Sequence, residues 1–492
     1  RMRLNQLLQR LEYTCLQGRV DIEVAEIIND SRKAKEGSLF FCIRGAVTDG
    51  HKYAKEVAEK GAAVLIVEEP VDVPEHTTVI QVADTRYAMA LISAAWYGYP
   101  AEEMKIIGVT GTKGKTTTTY MVKSILEAAG YKVGLIGTIE AIIGETVIPA
   151  NNTTPESMTI QEYFRRMADE GCQIVVMEVS SQGLMLHRTA GIPFELGIFT
   201  NIEPDHIGPA EHASFEDYIA CKGRLFRQCR VGIMNGDDPH LEEILKGHTC
   251  KVETFGLSEG VDLRAENLEL VGRPGYLGIR YTVTGKLNFD VEVDIPGKFS
   301  VYNSLTAIAI CRHFNVETEM IQKALKAAKV KGRVEKVKVS DDFTLMIDYA
   351  HNAMALESLL TTLKEYHPKR LVCLFGCGGN RSKLRRYEMG EVSGRFADFT
   401  IITSDNPRYE KPDDIIADIV VGMKKTDGKY VTIPNRKEAI AYAIHHGQPG
   451  DVIILAGKGH ETYQEIEGKK YPMDERVLIR EILEEDKEKA GR

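Results

Sequence analysis

Short apolar runs recur along most of the chain, and each is followed by a stretch whose apolar residues repeat at helical spacing. Continuous apolar runs of this length are typical of strands buried on both faces of a parallel sheet. Their alternation with helices predicts βαβ units, and therefore an α/β fold class. In the middle of the chain we expect strands at 106–110, 174–179, 196–201 and 231–235.

Residues 262–296 have a different pattern, because apolar and polar positions alternate at 277–283 and 289–295. Such alternation is typical of half-exposed antiparallel strands. Beyond this region the α/β pattern returns, and it also precedes the middle of the chain. The expected strands there are 37–43, 62–68, 344–348, 371–375, 399–404 and 452–455.

The pattern divides the chain into three predicted domains, at 1–101, 102–331 and 332–492, with a hinge at 101–103. The first is a small α/β domain. The second combines a parallel sheet of the P-loop ATPase type with an added antiparallel sheet, and the third is Rossmann-like. The size of the chain agrees with about three domains.

The composition is that of an ordinary globular protein, with 43% hydrophobic and 27% charged residues. A net charge of −9 argues against a nucleic-acid partner. No apolar run approaches membrane-spanning length, and no signal peptide is evident. The nine cysteines lack paired metal-binding spacing, and we expect Cys373 and Cys377 to be buried thiols. These features predict a cytoplasmic enzyme without a membrane partner, and we expect a monomer.

The most specific motif is an apolar strand, a glycine-rich turn and a helix between Lys105 and Thr119. Glycines at 111 and 114 allow the backbone to approach an anion closely, and the N–H groups of the turn point towards phosphate. Lys115 can reach the terminal phosphates, and the hydroxyl group of Thr116 can hold Mg²⁺. The motif therefore predicts that the protein binds ATP or GTP.

Polar residues stand where the strands of the central domain end, which is where open α/β sheets bind ligands. Glu178 ends a buried strand, and a carboxylate at that depth favours a neutralising cation such as Mg²⁺. His206 follows the next strand as either a metal ligand or a hydrogen-bonded turn residue.

Lys222 falls on the apolar stripe of a helix expected at 214–226, for which Ser214 is a plausible N-cap. Two interpretations are open. A buried, neutral amine could add CO₂ and become an anionic carbamate that binds Mg²⁺. Alternatively, the side chain could extend its ammonium group to solvent.

The strands of the third domain also end in charged residues. Asp348 and His351 follow one strand, and Arg381 follows a glycine-rich turn after another. Arg408 comes directly after Pro407, which restricts the turn, and an arginine there can bind a carboxylate bidentately. Together with Glu461, these residues predict a binding face.

In chain order these motifs are similar to those of the Mur ligase family, over almost the whole chain. The segments that carry the resemblance are 111–117, 178–181, His206, Lys222, 302–303, 332–333 and 348–351. Residues 30–32, 37–40 and 49–51 resemble the muramyl tripeptide synthetases within this family. The resemblance implies a UDP-substrate-binding first domain, an ATP-binding second domain and an amino-acid-binding third domain.

The resemblance also implies roles for particular residues. For the UDP end and the muramyl-dipeptide of the acceptor they are Ser31, Ala46, Val47, Thr48, Asn152, Thr153, Thr154, Ser180 and Arg188. For ATP they are Gly111, Thr112, Lys113, Gly114, Lys115, Thr116, Thr117, Asn303 and Arg333. For two Mg²⁺ ions they are Thr116, Glu178, His206 and a carbamylated Lys222. For nucleotide alignment they are Arg333, Asp348 and His351, and for the incoming amino acid Arg381, Asp405, Asn406, Pro407, Arg408, Gly457 and Glu461.

The implied reaction is the ATP-dependent addition of meso-2,6-diaminopimelate to UDP-N-acetylmuramoyl-L-alanyl-D-glutamate through an acyl phosphate. Residues 405–408 resemble the version of the motif that accepts diaminopimelate, and lysine would leave Arg408 without a partner. Departures from the family at Asn380, Leu186 and 352–355 leave the choice of amino acid open. The alternatives are a lysine-adding ligase, another amide ligase such as a folylpolyglutamate synthetase, a P-loop ATPase without an amine substrate, and a non-catalytic nucleotide-binding protein.

Overall fold

The structure is a computed structural model that describes residues 1–203 and 212–492. The chain forms two compact units, one of residues 1–264 and 305–320 and the other of residues 265–304 and 321–492. The strands are β1 (Met2–Arg3), β2 (Thr14–Gln17), β3 (Glu23–Val24), β4 (Glu26–Ile28), β5 (Ser38–Phe41), β6 (Val64–Val67), β7 (Thr78–Gln81), β8 (Lys105–Thr110), β9 (Val133–Ile136), β10 (Glu140–Ile143), β11 (Thr146–Pro149), β12 (Ile174–Glu178), β13 (Phe194–Phe199), β14 (Cys229–Asn235), β15 (Lys251–Gly256), β16 (Leu263–Arg273), β17 (Tyr276–Gly285), β18 (Phe289–Val293), β19 (Glu335–Val337), β20 (Thr344–Asp348), β21 (Arg370–Phe375), β22 (Phe399–Ile402), β23 (Lys429–Thr432), β24 (Asp451–Ala456), β25 (Tyr463–Ile466) and β26 (Lys469–Pro472).

The α-helices are α1 (Leu4–Leu7), α2 (Ala54–Glu59), α3 (Thr85–Trp96), α4 (Lys115–Ala128), α5 (Ser157–Asp169), α6 (Ser181–Met185), α7 (Phe215–Gly223), α8 (Leu241–Ile244), α9 (Lys298–Cys311), α10 (Thr318–Lys326), α11 (Ala353–Lys364), α12 (Lys383–Phe396), α13 (Pro412–Met423), α14 (Arg436–His445) and α15 (Glu475–Ala490). Within the described ranges, none of the helices has the length and apolar character needed to cross a bilayer.

Besides the two-stranded pairing of β1 with β3, the first unit contains two sheets. The smaller sheet has the order β2-β7-β6-β5-β4, in which β4 to β7 are parallel and β2 is antiparallel. In the larger sheet, the order β9-β12-β8-β13-β14-β15 is parallel, and β10 and β11 extend it in antiparallel fashion. The apolar runs form these strands because both faces of each are covered, and β12 is buried throughout.

The register of the larger sheet brings functional strand ends together. Glu178, at the end of β12, pairs with Val109, and Thr110, at the end of β8, pairs with Phe199. The chain therefore leaves β8, β12 and β13 at the same edge of the sheet, where the glycine-rich turn begins.

In the second unit, one sheet has the order β19-β20-β24-β21-β22-β23, with β19 antiparallel and the others parallel. The carboxyl ends of β20, β21, β22 and β24 lie at one edge of this sheet. Separately, β17 and β18 pair in antiparallel fashion, as the alternation of apolar and polar residues predicts.

The predicted α/β fold class is confirmed, and the expected strands agree with the observed ones to within a few residues. The helix expected at 214–226 needs correction, because α7 ends at Gly223 and a 3₁₀ turn, Arg224–Arg227, follows. Glycine is a poor helix former. The backbone of Gly223 also lies so close to the carbonyl oxygen of Ile244 that a Cβ would stand 2.9 Å from it. The expected domain boundaries at 101 and 331 stay predictions.

Candidate active site

The glycine-rich turn after β8 has the geometry of an anion-binding loop. Gly114 precedes α4 with φ of 88°, a left-handed conformation that glycine adopts without a steric penalty. The end of β13 holds the turn in place, since Asn201 Oδ1 accepts from Lys113 N at 2.9 Å and Asn201 O accepts from Thr112 N at 3.0 Å. These hydrogen bonds therefore fix the loop from which the N–H groups at the start of α4 can bind an anion.

The two side chains expected to act on phosphate and Mg²⁺ lie on this loop. Lys115 Nζ donates to the carbonyl oxygen of Gly111 at 2.7 Å. Thr116 Oγ1 donates to Glu178 Oε1 at 2.9 Å, so the hydroxyl and the carboxylate that were assigned to the metal are in contact.

Glu178 is almost fully buried, with 1% of its surface exposed, and neutral donors hold its carboxylate. Oε2 accepts from Thr138 N at 2.7 Å, and Oε1 accepts from Thr138 Oγ1 at 3.0 Å. The turn after β9 supplies these donors and approaches closely, because a Cβ on Gly137 would lie 2.1 Å from Glu178 Oε2. The sequence analysis missed Gly137 and Thr138, which carry no motif of their own.

Lys222 points into the protein, with 1% of its surface exposed. Its Nζ donates to the carbonyl oxygen of Gly111 at 3.0 Å, the same oxygen that Lys115 contacts. Ser214 caps α7 as expected, accepting from Asp217 N at 3.1 Å. The inward orientation is therefore confirmed, and the alternative in which the ammonium group extends to solvent is wrong.

Tyr218 is a further residue that the sequence analysis did not assign to the site. It lies one turn before Lys222 on α7, and its ring centroid is 4.7 Å from Lys222 Nζ. Its hydroxyl group is 3.0 Å from Thr112 Oγ1. The helical stripe that contains Lys222 was the available signal, since Tyr218 belongs to the same stripe. His206, the remaining expected metal ligand, lies outside the described residues.

The residues assigned to the muramyl-dipeptide surround the end of β12. Thr154 Oγ1 donates to Glu178 O at 3.0 Å and accepts from Ser180 N at 2.9 Å. Thr153 Oγ1 is 3.0 Å from Thr138 Oγ1. Asn152, next to them in sequence, is exposed. Most of this set is thus linked to Glu178 through one or two hydrogen bonds.

Arg188 connects this region with a separate cavity. Its guanidinium group donates to Thr154 O at 3.0 Å and to Glu156 Oε1 at 3.1 Å. Glu156 also lines a cavity of about 640 Å³, together with Ser31, Thr48 and other residues of the first 86 positions. The cavity has the size of a small-molecule site.

Among the residues expected to hold the UDP end, Ser31 and Thr48 line this cavity, whereas Ala46 and Val47 do not. Val47 is 94% exposed at the tip of its turn. Arg86, on α3, lines the cavity and was missed, because nothing in its local sequence distinguishes it from other surface arginines.

In the second unit, three of the expected catalytic residues surround Tyr349. Asp348 accepts from Val334 N and Ala350 N, each at 2.9 Å, and burial raises the pKa of its carboxyl group. The Arg333 guanidinium carbon lies 5.4 Å from the Tyr349 ring centroid. His351 is exposed, and its Nδ1 lies 2.9 Å from Tyr349 O. Asn303 is half-buried on α9.

The residues assigned to the incoming amino acid occupy the turns after β21, β22 and β24. Arg408, which follows Pro407, donates to Gly379 O at 3.0 Å. Arg381 is exposed and donates to the neighbouring Asn380 O at 3.1 Å. Gly457, which follows β24, lies against the carboxylate of Asp405.

One expectation for this region needs correction. Arg408 has a partner within the chain, because its Nε is 3.3 Å from Glu465 Oε2. Asp405 and Glu461 also have a cation beside them, since Lys458 Nζ lies 3.5 Å from one and 3.3 Å from the other. The sequence analysis missed Glu465 and Lys458, whose respective partners Arg408 and Asp405 come from a turn that is distant in sequence.

The first unit has the fold and site of a P-loop enzyme that uses a nucleoside triphosphate, with a buried strand-end carboxylate beside the loop. The sequence matches three family profiles: "Mur ligase family, catalytic domain" at residues 23–97, "Mur ligase middle domain" at 109–311, and "Mur ligase, glutamate ligase domain" at 332–459. A relative that aligns with nearly the full length of this chain also agrees with these matches. The chain belongs to the Mur ligase family.

That relative is the UDP-N-acetylmuramoyl-L-alanyl-D-glutamate–2,6-diaminopimelate ligase of Caldanaerobacter subterraneus, which is 42% identical over 98% of this chain and 99% of its own. A solved structure of a ligase of the same name is 26% identical, with a TM-score of 0.74 over 99% of both chains. The MurF ligase of Thermotoga maritima in complex with ADP has a TM-score of 0.56 over 94% of this chain and 98% of its own. At 18% identity it shows a shared fold.

Proposed function

We propose that this chain is an ATP-dependent, ADP-forming amide ligase that adds meso-2,6-diaminopimelate to UDP-N-acetylmuramoyl-L-alanyl-D-glutamate, a step of peptidoglycan precursor synthesis. The contact of Thr116, on the phosphate loop, with the buried Glu178 supports the proposal most directly. Thr154 and Arg188, which are assigned to the acceptor, continue from the same strand end. The full-length relatives support the choice of acceptor and amino acid.

In the first step of the reaction two anions, a carboxylate and ATP, react with each other, and the amine takes part only in the second step. The γ-carboxylate of the D-glutamyl residue attacks the γ-phosphorus of ATP, so that an acyl phosphate forms and ADP leaves. The amine of diaminopimelate then attacks the acyl carbon, inorganic phosphate leaves, and the amine loses a proton. Because negative charges meet in the first step, electrostatic stabilisation is the main catalytic demand. The N–H groups at the start of α4 and the ammonium group of Lys115 would supply it.

The side chains at the loop suit Mg²⁺, which prefers oxygen ligands. Glu178 is a buried carboxylate whose described hydrogen-bond donors are neutral, an arrangement that a cation would stabilise. Thr116 and Glu178 would hold the ion together with His206 and a carbamate formed on Lys222. When bound, the ion would neutralise charge between the two reacting anions.

The turns after β21, β22 and β24 suit an amino acid with groups of both signs at its distal end. Arg408 can bind a carboxylate, although Glu465 shares its charge in this structure. Asp405 and Glu461 can receive an ammonium group. Diaminopimelate carries both groups at its distal end, whereas lysine has only the ammonium group.

The proposal is tested by phosphate release with ATP, the UDP-muramyl-dipeptide and a panel of amines. We expect turnover with meso-diaminopimelate to exceed that with lysine by at least about tenfold, because only diaminopimelate offers Arg408 a distal carboxylate in addition to the distal ammonium group. Equal use of lysine would assign the chain to the lysine-adding type. ATP hydrolysis that needs neither acceptor nor amine would instead show a P-loop ATPase.

A further inference from the structure

Lys458 is a fully buried lysine, with 0% of its side chain exposed, and none of the roles above includes it. It lies on the turn after β24. Its Nζ donates to Asn406 Oδ1 at 2.9 Å and lies 3.5 Å from Asp405 Oδ1, both on the turn after β22. It also lies 3.3 Å from Glu461 Oε1 on its own turn. One ammonium group therefore joins two strand-end turns.

The charges of this cluster do not balance. Two carboxylates face one ammonium group, and within the described part of the chain no other cation forms an ion pair with Asp405 or Glu461. Burial makes an excess of one negative charge costly unless a cation arrives. The cluster is therefore suited to a ligand that brings one positive charge.

Exposure shows which groups of the cluster an arriving charge can reach. The side chains of Asp405 and Glu461 are 11% and 16% exposed, whereas Lys458 is not exposed at all. The lysine is thus more deeply buried than the two carboxylates, each of which keeps part of its side chain accessible. Asp405 Oδ2 lies against Gly457, where a Cβ would stand 3.0 Å away, so the backbone there leaves room beside the oxygen.

We propose that Lys458 is a positioning residue for the incoming amino acid: it pairs with Asp405 and Glu461 so that the accessible parts of the two carboxylates together receive the distal ammonium group of that substrate. This inference rests on the proposed function, since it assumes that a diamino acid enters here. Asn406, the third group that Lys458 contacts, also accepts from Glu465 N at 2.9 Å, so the same lysine fixes the residue that pairs with Arg408.

The pH dependence of diaminopimelate binding distinguishes this role from a structural one. Burial raises the pKa of Glu461, and the ammonium group of Lys458 opposes that rise. The other titratable groups that face Glu461 are Asp405, Tyr463 and Tyr349. Removal of Lys458 should raise the pKa of Glu461 further, so protonation would abolish ammonium binding at a higher pH than in the wild type.

The experiment compares Lys458→Met, Lys458→Arg and, as a matched control, Arg370→Met. Arg370 also pairs with a buried carboxylate of this sheet, Asp451 at 2.8 Å, but at the amino ends of β21 and β24. Two activities are measured: acyl-phosphate formation without amino acid, trapped with hydroxylamine, and turnover as a function of diaminopimelate concentration and pH.

In Lys458→Met, we expect the KM for diaminopimelate to rise about tenfold or more, while acyl-phosphate formation stays within about twofold, since only amino-acid binding is lost. The acidic limb of kcat/KM should move to higher pH. Lys458→Arg should return that limb towards its wild-type position because it keeps the charge, and Arg370→Met should leave the KM and the limb unchanged.

An unchanged KM and an unchanged acidic limb in folded Lys458→Met would overturn the inference. If that variant does not fold, Lys458→Arg decides, since displacement of the cation should still raise the KM while acyl-phosphate formation is kept. A wild-type enzyme that forms the acyl phosphate with the UDP-muramyl-dipeptide but uses no diamino acid would contradict the proposed function instead.

Discussion

Glu178→Gln should remove activity while leaving the fold nearly as stable as in the wild type. Glutamine has the same shape as glutamate but lacks the charge, so it tests the carboxylate rather than the space that it fills. Its amide oxygen can still accept from Thr138 N. Its amide nitrogen would face the hydroxyl groups of Thr116 and Thr138, which can rotate to accept.

The magnitude follows from two opposing free energies. Three hydrogen bonds to a charged acceptor become neutral ones, and each loses about 0.5–2 kcal/mol. Against this, the free energy of removing a carboxylate from water, several kcal/mol at a buried position, is no longer required. On balance, the free energy of unfolding should fall by about 1–2 kcal/mol, which corresponds to a decrease in Tm of a few degrees. Turnover should fall about 10²–10³-fold, since charge at the reacting groups is lost.

Acyl-phosphate trapping and thermal melting measure the two effects, and Glu178→Ala is the matched control. Alanine leaves Thr138 N without an acceptor, which costs about 1–3 kcal/mol in addition to the cavity that forms. The alanine variant should therefore lose both activity and stability. Both variants should still bind the UDP-substrate. If Glu178→Gln kept more than about a tenth of wild-type turnover, a charge effect of the size usual in active sites would be ruled out.

Three further predictions concern the same chemistry. Gly137→Ala should lower turnover by about tenfold or more, because its Cβ would stand 2.1 Å from Glu178 Oε2 and displace the carboxylate; wild-type kinetics would contradict this. Lys222→Ala should lose nearly all ligation, and short carboxylic acids added to the assay should restore part of it; full activity without them would exclude a carbamate. Arg408→Ala should reduce kcat/KM for diaminopimelate at least about tenfold more than for lysine, and an unchanged ratio would show that Arg408 does not select the amino acid.

Local patterns predicted much of this structure from sequence. The buried strands were predictable because both of their faces are covered, so each appears as a continuous apolar run. The phosphate loop was predictable because strand, glycines and helix are adjacent in the chain. The end of α7 was not predicted: its last residue, Gly223, lies against the carbonyl oxygen of Ile244, 21 residues later, and this close approach has no local signal in the sequence.

Residues that act through tertiary contacts could not be found in this way. Thr138 donates to Glu178 across 40 positions, and Lys458 reaches Asp405 across 53. Neither has a distinctive local pattern. The rule that ligands bind at the carboxyl ends of parallel strands did predict the correct sheet edges for Glu178 and Asp405. It could not predict that Thr138 and Lys458 contact them.

The two buried lysines show where the boundary of sequence prediction lies. The apolar stripe of its own helix made an inward orientation of Lys222 one of two open interpretations, and the resemblance to the Mur ligases favoured it. Lys458 follows a buried strand in a glycine-flanked turn, where no periodicity exists to show direction. Its burial becomes plausible only when Asp405 and Glu461 are known to meet there, because a buried ammonium group needs anionic partners. The neighbours in sequence of a lysine on a helix therefore give evidence about its orientation, whereas a lysine in a strand-end turn can be judged only from its neighbours in space.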